Sequence, residues 1–179
     1  KQHIYILYKH FVMGGEMKTE NYDIFYELYQ YDLNGQFIQK TFLDLDSDFA
    51  ALDICADDAY MYFLMSNEEN SYIDVYTFSG EYHGRIQTNV TEETNEPILI
   101  SAKEQGVLLT SGAKLYLLRG TELCEIDIKC DAVIQSDDET YDFVYYKKNK
   151  LYGYNIESNT SKKIFGAEIE DISLMCLFY

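Results

Sequence analysis

Basic residues are scarce in this chain: 14 Lys and Arg stand against 31 Asp and Glu, a formal charge of −17. That deficit excludes a general electrostatic grip on nucleic acid or on an anionic membrane. Long apolar runs are also lacking. The run Ile4–Tyr8 is stopped by Lys9 and His10, far short of membrane-spanning length, so no membrane-spanning segment is expected. There is no start methionine, charged n-region or cleavage site, and no signal peptide can be read. None of the four cysteines, Cys55, Cys124, Cys130 and Cys176, forms a CxxC pair, and the three histidines lie far from them, so zinc-site spacing is missing. Each cysteine sits among apolar residues and is expected to be a buried small hydrophobe, not half of a disulfide. No Gly-x-Ser-x-Gly elbow, glycine-rich phosphate loop or histidine-rich metal motif occurs. No cofactor, metal ligand or catalytic residue is therefore assigned.

What is present suits a folded sheet protein. Apolar residues make 47% and charged residues 25% of 179 positions, a globular balance for one domain. Tryptophan is absent and proline occurs once, but 18 Tyr and 10 Phe remain. Aromatic side chains fit a pleated, half-buried surface.

The chain repeats. Tyr31–Thr41, Tyr76–Ile86, Tyr116–Ile126 and Tyr154–Ile164 align without gaps, each with an apolar third position and a turn at the fifth. Gly35, Gly80 and Gly120 hold that turn, and Ser158 followed by Asn159 takes it in the fourth copy. Glycine there supplies the positive φ of a tight hairpin. Upstream of the last three copies, Leu52–Met65, Ile98–Ser111 and Ala132–Tyr146 each read as strand, polar turn, strand. One unit is thus four antiparallel strands, A to D, in about 40–45 residues, the blade of a β-propeller. A β-sandwich with coincidental spacing is the plainer alternative.

The expected fold is all-β, with about four blades in a single domain: 4–43 plus 172–179, 51–88, 97–128 and 131–165. The first unit lacks strand A, and Ile172–Cys176 resembles Ala51–Cys55, so 172–179 is expected to pair with Ile4–His10 and close a four-bladed ring. A fragment of a six-bladed ring is the alternative. Leu52, Ile54, Leu99, Val133 and Leu174, on A strands, are expected to point into buried space.

The pattern of Ile4–Tyr8, Leu28–Ile38, Leu43-Asp44-Leu45 and Tyr60-Met61-Tyr62 resembles TolB-like and NHL-like six-bladed propellers of bacterial secreted proteins and lipoproteins, over about residues 4–80. The resemblance implies a binding scaffold and an extracytoplasmic location, and carries over no catalytic residue. A six-bladed member would need roughly two more blades.

Blade topology places B–C and D–A loops on one rim. There the longest connection is 11–24, with Gly14, Gly15 and Glu16. Asp44, Asp46 and Asp48 alternate on the next connection, and Glu68 and Glu69 follow on a B–C turn. These eight residues are the expected binding set. The three aspartates begin like a calcium loop, but the glycine at its sixth position and the glutamate at its twelfth are replaced by Phe49 and Cys55. A solvated acidic loop is the simpler reading. Asp57-Asp58 and Asp137-Asp138 sit at equivalent A–B turns, where turn chemistry explains them. His83 is expected to be exposed.

Function is expected to be non-enzymatic binding, with the acidic rim favouring a cationic partner or ion, and a protein or small molecule as the ligand. A structural part of a larger assembly and a carboxylate-dependent hydrolase or lyase are the alternatives.

Overall fold

A computed structural model describes residues 3–13, 22–67, 69–88, 97–111, 114–136 and 138–165. Every regular element among them is a strand, apart from one turn of 3₁₀-helix at Lys103–Gln105. The first sheet holds β1 (Ile4–Met13), β2 (Tyr22–Tyr31) and β3 (Phe37–Leu43). The second holds β4 (Ala50–Ala56), β5 (Tyr60–Ser66), β6 (Ser71–Thr77) and β7 (Tyr82–Thr88). The third holds β8 (Ile98–Ser101), β9 (Val107–Ser111), β10 (Lys114–Arg119) and β11 (Glu122–Ile126). The fourth holds β12 (Ala132–Gln135), β13 (Phe143–Lys147), β14 (Lys150–Asn155) and β15 (Thr160–Phe165). Strands follow one another in sequence order, all antiparallel. No helix among the described residues is long and apolar enough to cross a membrane.

The expected loop 11–24 is shorter than its sequence suggested. β1 and β2 extend to the pair Met13↔Tyr22, because the apolar and aromatic residues of Phe11–Met13, with Tyr22 and Ile24, suit continued strand. Gly14, Gly15 and Glu16 lie outside the described residues, as do Glu68, Asp137 and 172–179 with Leu174 and Cys176.

The hairpin turns explain the repeat. Gly35 and Gly80 have φ of 78° and 84°, and their amides donate to the carbonyls of Asp32 and Thr77. Asn159, not Ser158, takes the left-handed place in the fourth copy, with φ of 52°. The third copy is displaced. Its turn is only Gly120-Thr121, with Arg119 opposing Glu122. In the ladders, Leu118 opposes Val107 as Tyr76 opposes Met61 and Tyr154 opposes Phe143. Tyr116 therefore stands two residues from its expected register but keeps its face, since side chains alternate with period two.

Three apolar cores join the four sheets in succession. Tyr26, Leu28 and Leu43 of the first sheet meet Met61, Phe63, Met65 and Tyr76 of the second. The other face of the second sheet, with Tyr62, Leu64, Ile73 and Val75, meets Leu99, Val107, Leu109 and Leu118 of the third. Leu108, Leu115 and Leu117 of the third meet Val133, Phe143, Tyr145 and Tyr154 of the fourth. β5 and β6 are consequently buried on both faces. Each fully buried Val, Leu, Ile, Phe or Met side chain contributes about 1.5–3 kcal/mol of transfer free energy. β8 lies against both β4 and β12, so the first strands of these three sheets are neighbours.

Leu99 and Val133 point into these cores as expected, and Ile54 is half-buried against the first of them. Leu52 does not: it is 46% exposed. The ladder steps from Ala51↔Met65 to Asp53↔Leu64, so Leu52 is the extra residue of a bulge. The bulge re-aims Asp53, whose Oδ2 accepts the Leu99 amide at 2.8 Å across to the third sheet. Cys124 is also a correction: it is exposed, because β11 is an outer strand with one face in solvent. Cys55 and Cys130 are half-buried free thiols, and burial pushes Cys55 up to about 11.

Gly35 and Gly80 separate two costs. A Cβ on Gly35 meets nothing, whereas one on Gly80 would lie 2.1 Å from Thr41 Cγ2 of the first sheet. Gly35→Ala should cost about 1 kcal/mol through backbone strain alone, and Gly80→Ala at least about 2 kcal/mol. Urea unfolding of the two variants measures the difference.

Candidate functional site

The described residues form a cleft of about 470 Å³ where the second and third sheets meet. Four local elements build it: the β4–β5 turn, the start of β7, the β8–β9 turn and the β10–β11 turn. Asp57 organises the first. Its Oδ1 accepts the amides of Ala59 and Tyr60, both at 2.7 Å, which is the turn chemistry expected of an aspartate there. Its Oδ2 accepts the Tyr62 hydroxyl at 2.6 Å, and that hydroxyl accepts the Gly120 amide at 2.9 Å. Asp57, Tyr62 and Gly120 thus tie the two sheets together at the floor of the cleft. Burial, then the bond to Asp57, raises the Tyr62 phenol well above its ordinary range, so it stays protonated.

The walls carry side chains with less to hold them. Tyr60 and His83 stack at 4.3 Å between ring centroids. Gly120 closes against them; a Cβ there would sit 3.6 Å from the Tyr60 ring. Arg119 folds onto Gln105, its Nε donating to the Gln105 carbonyl at 2.7 Å and its other arm to the side-chain oxygen. Gly106 is needed for this turn, with φ of 121° and a Cβ position 2.2 Å from the Leu118 carbonyl. Asp58, Glu104 and Glu122 are exposed, and no hydrogen bond or ion pair among the described residues engages them. The cleft therefore offers three uncommitted carboxylates around an aromatic stack.

Sequence reasoning reached part of this. It noted Asp57-Asp58 and His83 but ranked them low, and it missed Glu104, Arg119 and Glu122. His83 is exposed as expected. The signal that could have joined them is that the A–B and C–D turns of an antiparallel sheet in sequence order lie at the same end of its strands.

The described members of the expected binding set, Asp44, Asp46, Asp48 and Glu69, lie at the other end of the strands. Asp44, Asp46 and Asp48 occupy the β3–β4 connection, which is loop, with Leu45 buried between them. The Asp48 amide donates to Asp46 Oδ1 at 3.0 Å, and the Asp44 carbonyl accepts the Tyr76 hydroxyl at 2.9 Å. Glu69 is exposed on the β5–β6 turn, its amide donating to Asn67 Oδ1. Among the described residues, no three His, Cys, Asp or Glu side chains converge in a way that would hold a metal ion.

A separate charged group sits on the outer face of the first sheet. Glu27 is buried there, accepting Lys40 Nζ at 2.8 Å and the Tyr29 hydroxyl at 2.9 Å, with His10 Nε2 at 3.0 Å. The Lys40 bond chiefly holds the Glu27 carboxyl below its ordinary value.

Neither the protein-family models nor the curated proteins contain a match to this chain.

Two outcomes follow. Tyr62→Phe leaves the Gly120 amide and an Asp57 oxygen without their partner and should cost about 1–3 kcal/mol in urea unfolding. Because the folded Glu27 value is lowered, its contribution is complete above the ordinary carboxyl range and is lost as pH falls through the folded value. The stability gap between the wild type and Glu27→Gln should therefore narrow on acidification; an unchanged gap in unfolding midpoints across that titration would contradict the linkage.

Proposed function

We propose that this chain is a β-propeller module, of the TolB-like and NHL-like kind, that binds a cationic partner without transforming it. The propeller reading is supported by three four-stranded sheets with neighbouring first strands. In each step the chain passes from the last strand of one sheet to the first strand of the next. Blades so arranged bring their turns to two rims, and the cleft between the second and third sheets lies on one of them.

The single observation that carries the binding reading is the pairing of uncommitted acids with an aromatic stack. Asp58, Glu104 and Glu122 surround the Tyr60–His83 rings. A carboxylate attracts an ammonium or guanidinium group, and an aromatic face adds about 0.5–1 kcal/mol at an exposed site. Catalysis by paired carboxylates would use them differently. It needs two acids whose surroundings push their protonation apart. Asp57 instead spends both oxygens on its turn and on Tyr62, and Asp58 faces solvent. The acidic residues Asp44, Asp46, Asp48 and Glu69 on the other rim would add to long-range attraction of the same partner.

The test is titration with an oligolysine peptide at low salt, followed by calorimetry. Binding should weaken at least about tenfold in Glu104→Lys/Glu122→Lys, and with added salt. Asp127→Lys/Glu157→Lys, an equal charge change at exposed sites that do not line the cleft, should bind nearly as the wild type does. Equal losses in both variants would show a general charge effect and overturn the assignment of the cleft.

A further inference from the structure

The first sheet is apolar on both faces. Its inner face, with Tyr26, Leu28 and Leu43, packs on the second sheet. Side chains alternate along each strand, so the opposed rows Ile4–Tyr31–Phe37, Ile6–Tyr29–Lys40 and Tyr8–Glu27–Phe42 share the outer face. Ring contacts of Phe37 with Tyr29 and Tyr31 agree with that placement. Ile4, Ile6, Tyr8, Phe37 and Phe42 are 42%, 39%, 44%, 56% and 63% exposed. None of the five belongs to a core, and no core joins the first sheet to the fourth. Within 4–8, 27–31 and 37–42 the charged side chains are Glu27 and Lys40, and they pair with each other at 2.8 Å.

We propose that this outer face docks a second copy of the chain, sheet against sheet, about a two-fold axis along β2. The inference is independent of what the cleft binds, since the cleft lies between the second and third sheets. Charge selects the occupant. A chain of −17 repels its own copy wherever acids face acids. The 4–8, 27–31 and 37–42 stretch is apolar around one neutralised pair, so two copies meet there at the least electrostatic cost. A basic partner would gain nothing from it. Shape is the second support. The two-fold lays β1 of each copy over β3 of the other, which brings Ile4 onto Phe37 of the second copy and Tyr8 onto Phe42 of the second copy. Aliphatic side chains thereby cover aromatic ones, and the same patch serves both copies, as an isologous interface requires. Area is the third. An aromatic side chain offers about 150–250 Å², so three aromatics near half exposure, with two isoleucines, present roughly 400 Å² per copy. That approaches the non-polar share of the roughly 800 Å² that each partner gives to a stable interface.

Sedimentation equilibrium of the full chain over a dilution series tests this. The mass should rise from 20.9 kDa to twice that value with concentration. Added salt should tighten the dimer, because screening removes repulsion between two acidic copies; it should loosen the binding of a cation at the cleft. Phe42→Glu puts a charge into the apolar interface and should weaken the dimer at least about tenfold. Ile164→Glu makes the same charge change at an exposed apolar residue of the fourth sheet and should dimerise as the wild type does. Should Phe42→Glu fail to fold in the urea assay, Phe42→Ser takes its place, with the same direction of effect. A wild type that stays monomeric at every concentration overturns the proposal. So does a dimer that salt dissociates, or one that the Phe42 and Ile164 variants weaken equally.

Discussion

A sheet that is apolar on both faces cannot end in water, and the second sheet is of this kind. Tyr62, Leu64, Ile73 and Val75 line one of its faces, and Met61, Phe63, Met65 and Tyr76 the other. A neighbour is required on each side, and the first and third sheets supply it. The need also selects the side chains. Tyrosine spans the layer between sheets and still brings a hydroxyl out to a polar partner at its margin. Tyr26 reaches the Phe49 carbonyl, Tyr76 the Asp44 carbonyl and Tyr62 the Asp57 carboxylate. Phenylalanine fills the layer but ends there. This division of labour gives a physical reason for a composition rich in tyrosine.

Charges buried in these layers are tied with the same economy. Asp74 is fully buried and takes both arms of Arg85, at 2.7 and 2.9 Å, while the Arg85 guanidinium lies 3.5 Å from the Tyr72 ring centroid. A bidentate pair stacked on a ring loses little of its binding geometry to rotamer freedom, which suits arginine and not lysine at this place. Removing Arg85 would leave the Asp74 carboxylate buried without its counter-ion, which costs far more than the intact pair contributes.

Strand positions and most turns were legible because they depend on local signals. Alternation marks β3 at Phe37–Leu43, and glycine marks the turns at Gly35 and Gly80. The remaining features depend on contacts distant in sequence. Nothing near Leu52 announces a bulge; the reason for it is Leu99, whose amide Asp53 must reach. The ungapped alignment put Tyr116 in register with Tyr76, but a turn two residues long moves the equivalence to Leu118. The cleft was legible only in fragments. Asp57 and His83 carry recognisable chemistry, whereas Glu104, Arg119 and Glu122 look like ordinary surface charges until two turns meet.

The net charge of −17 is weaker evidence for a cationic partner than its size suggests. Many of the acids serve the backbone. Asp32 accepts the amides of Asn34 and Gln36, Asp46 that of Asp48, Asp57 those of Ala59 and Tyr60, and Asp138 that of Thr140. The backbone bonds from Gln36 and Thr140 hold Asp32 and Asp138 below the usual carboxylate range, as expected when the charged form is the one being used. Such residues would be present on any protein with this many hairpins, whatever it bound. The informative acids are those the turns do not need. Asp58 follows the residue that builds its turn. Glu104 lies in a turn closed by backbone bonds from Gln105 and Gly106. Glu122 opens a strand whose hairpin is already set by Gly120. These three remain after turn chemistry is subtracted, and all three border the same cleft. Their position, more than the total charge, is what favours a cation there.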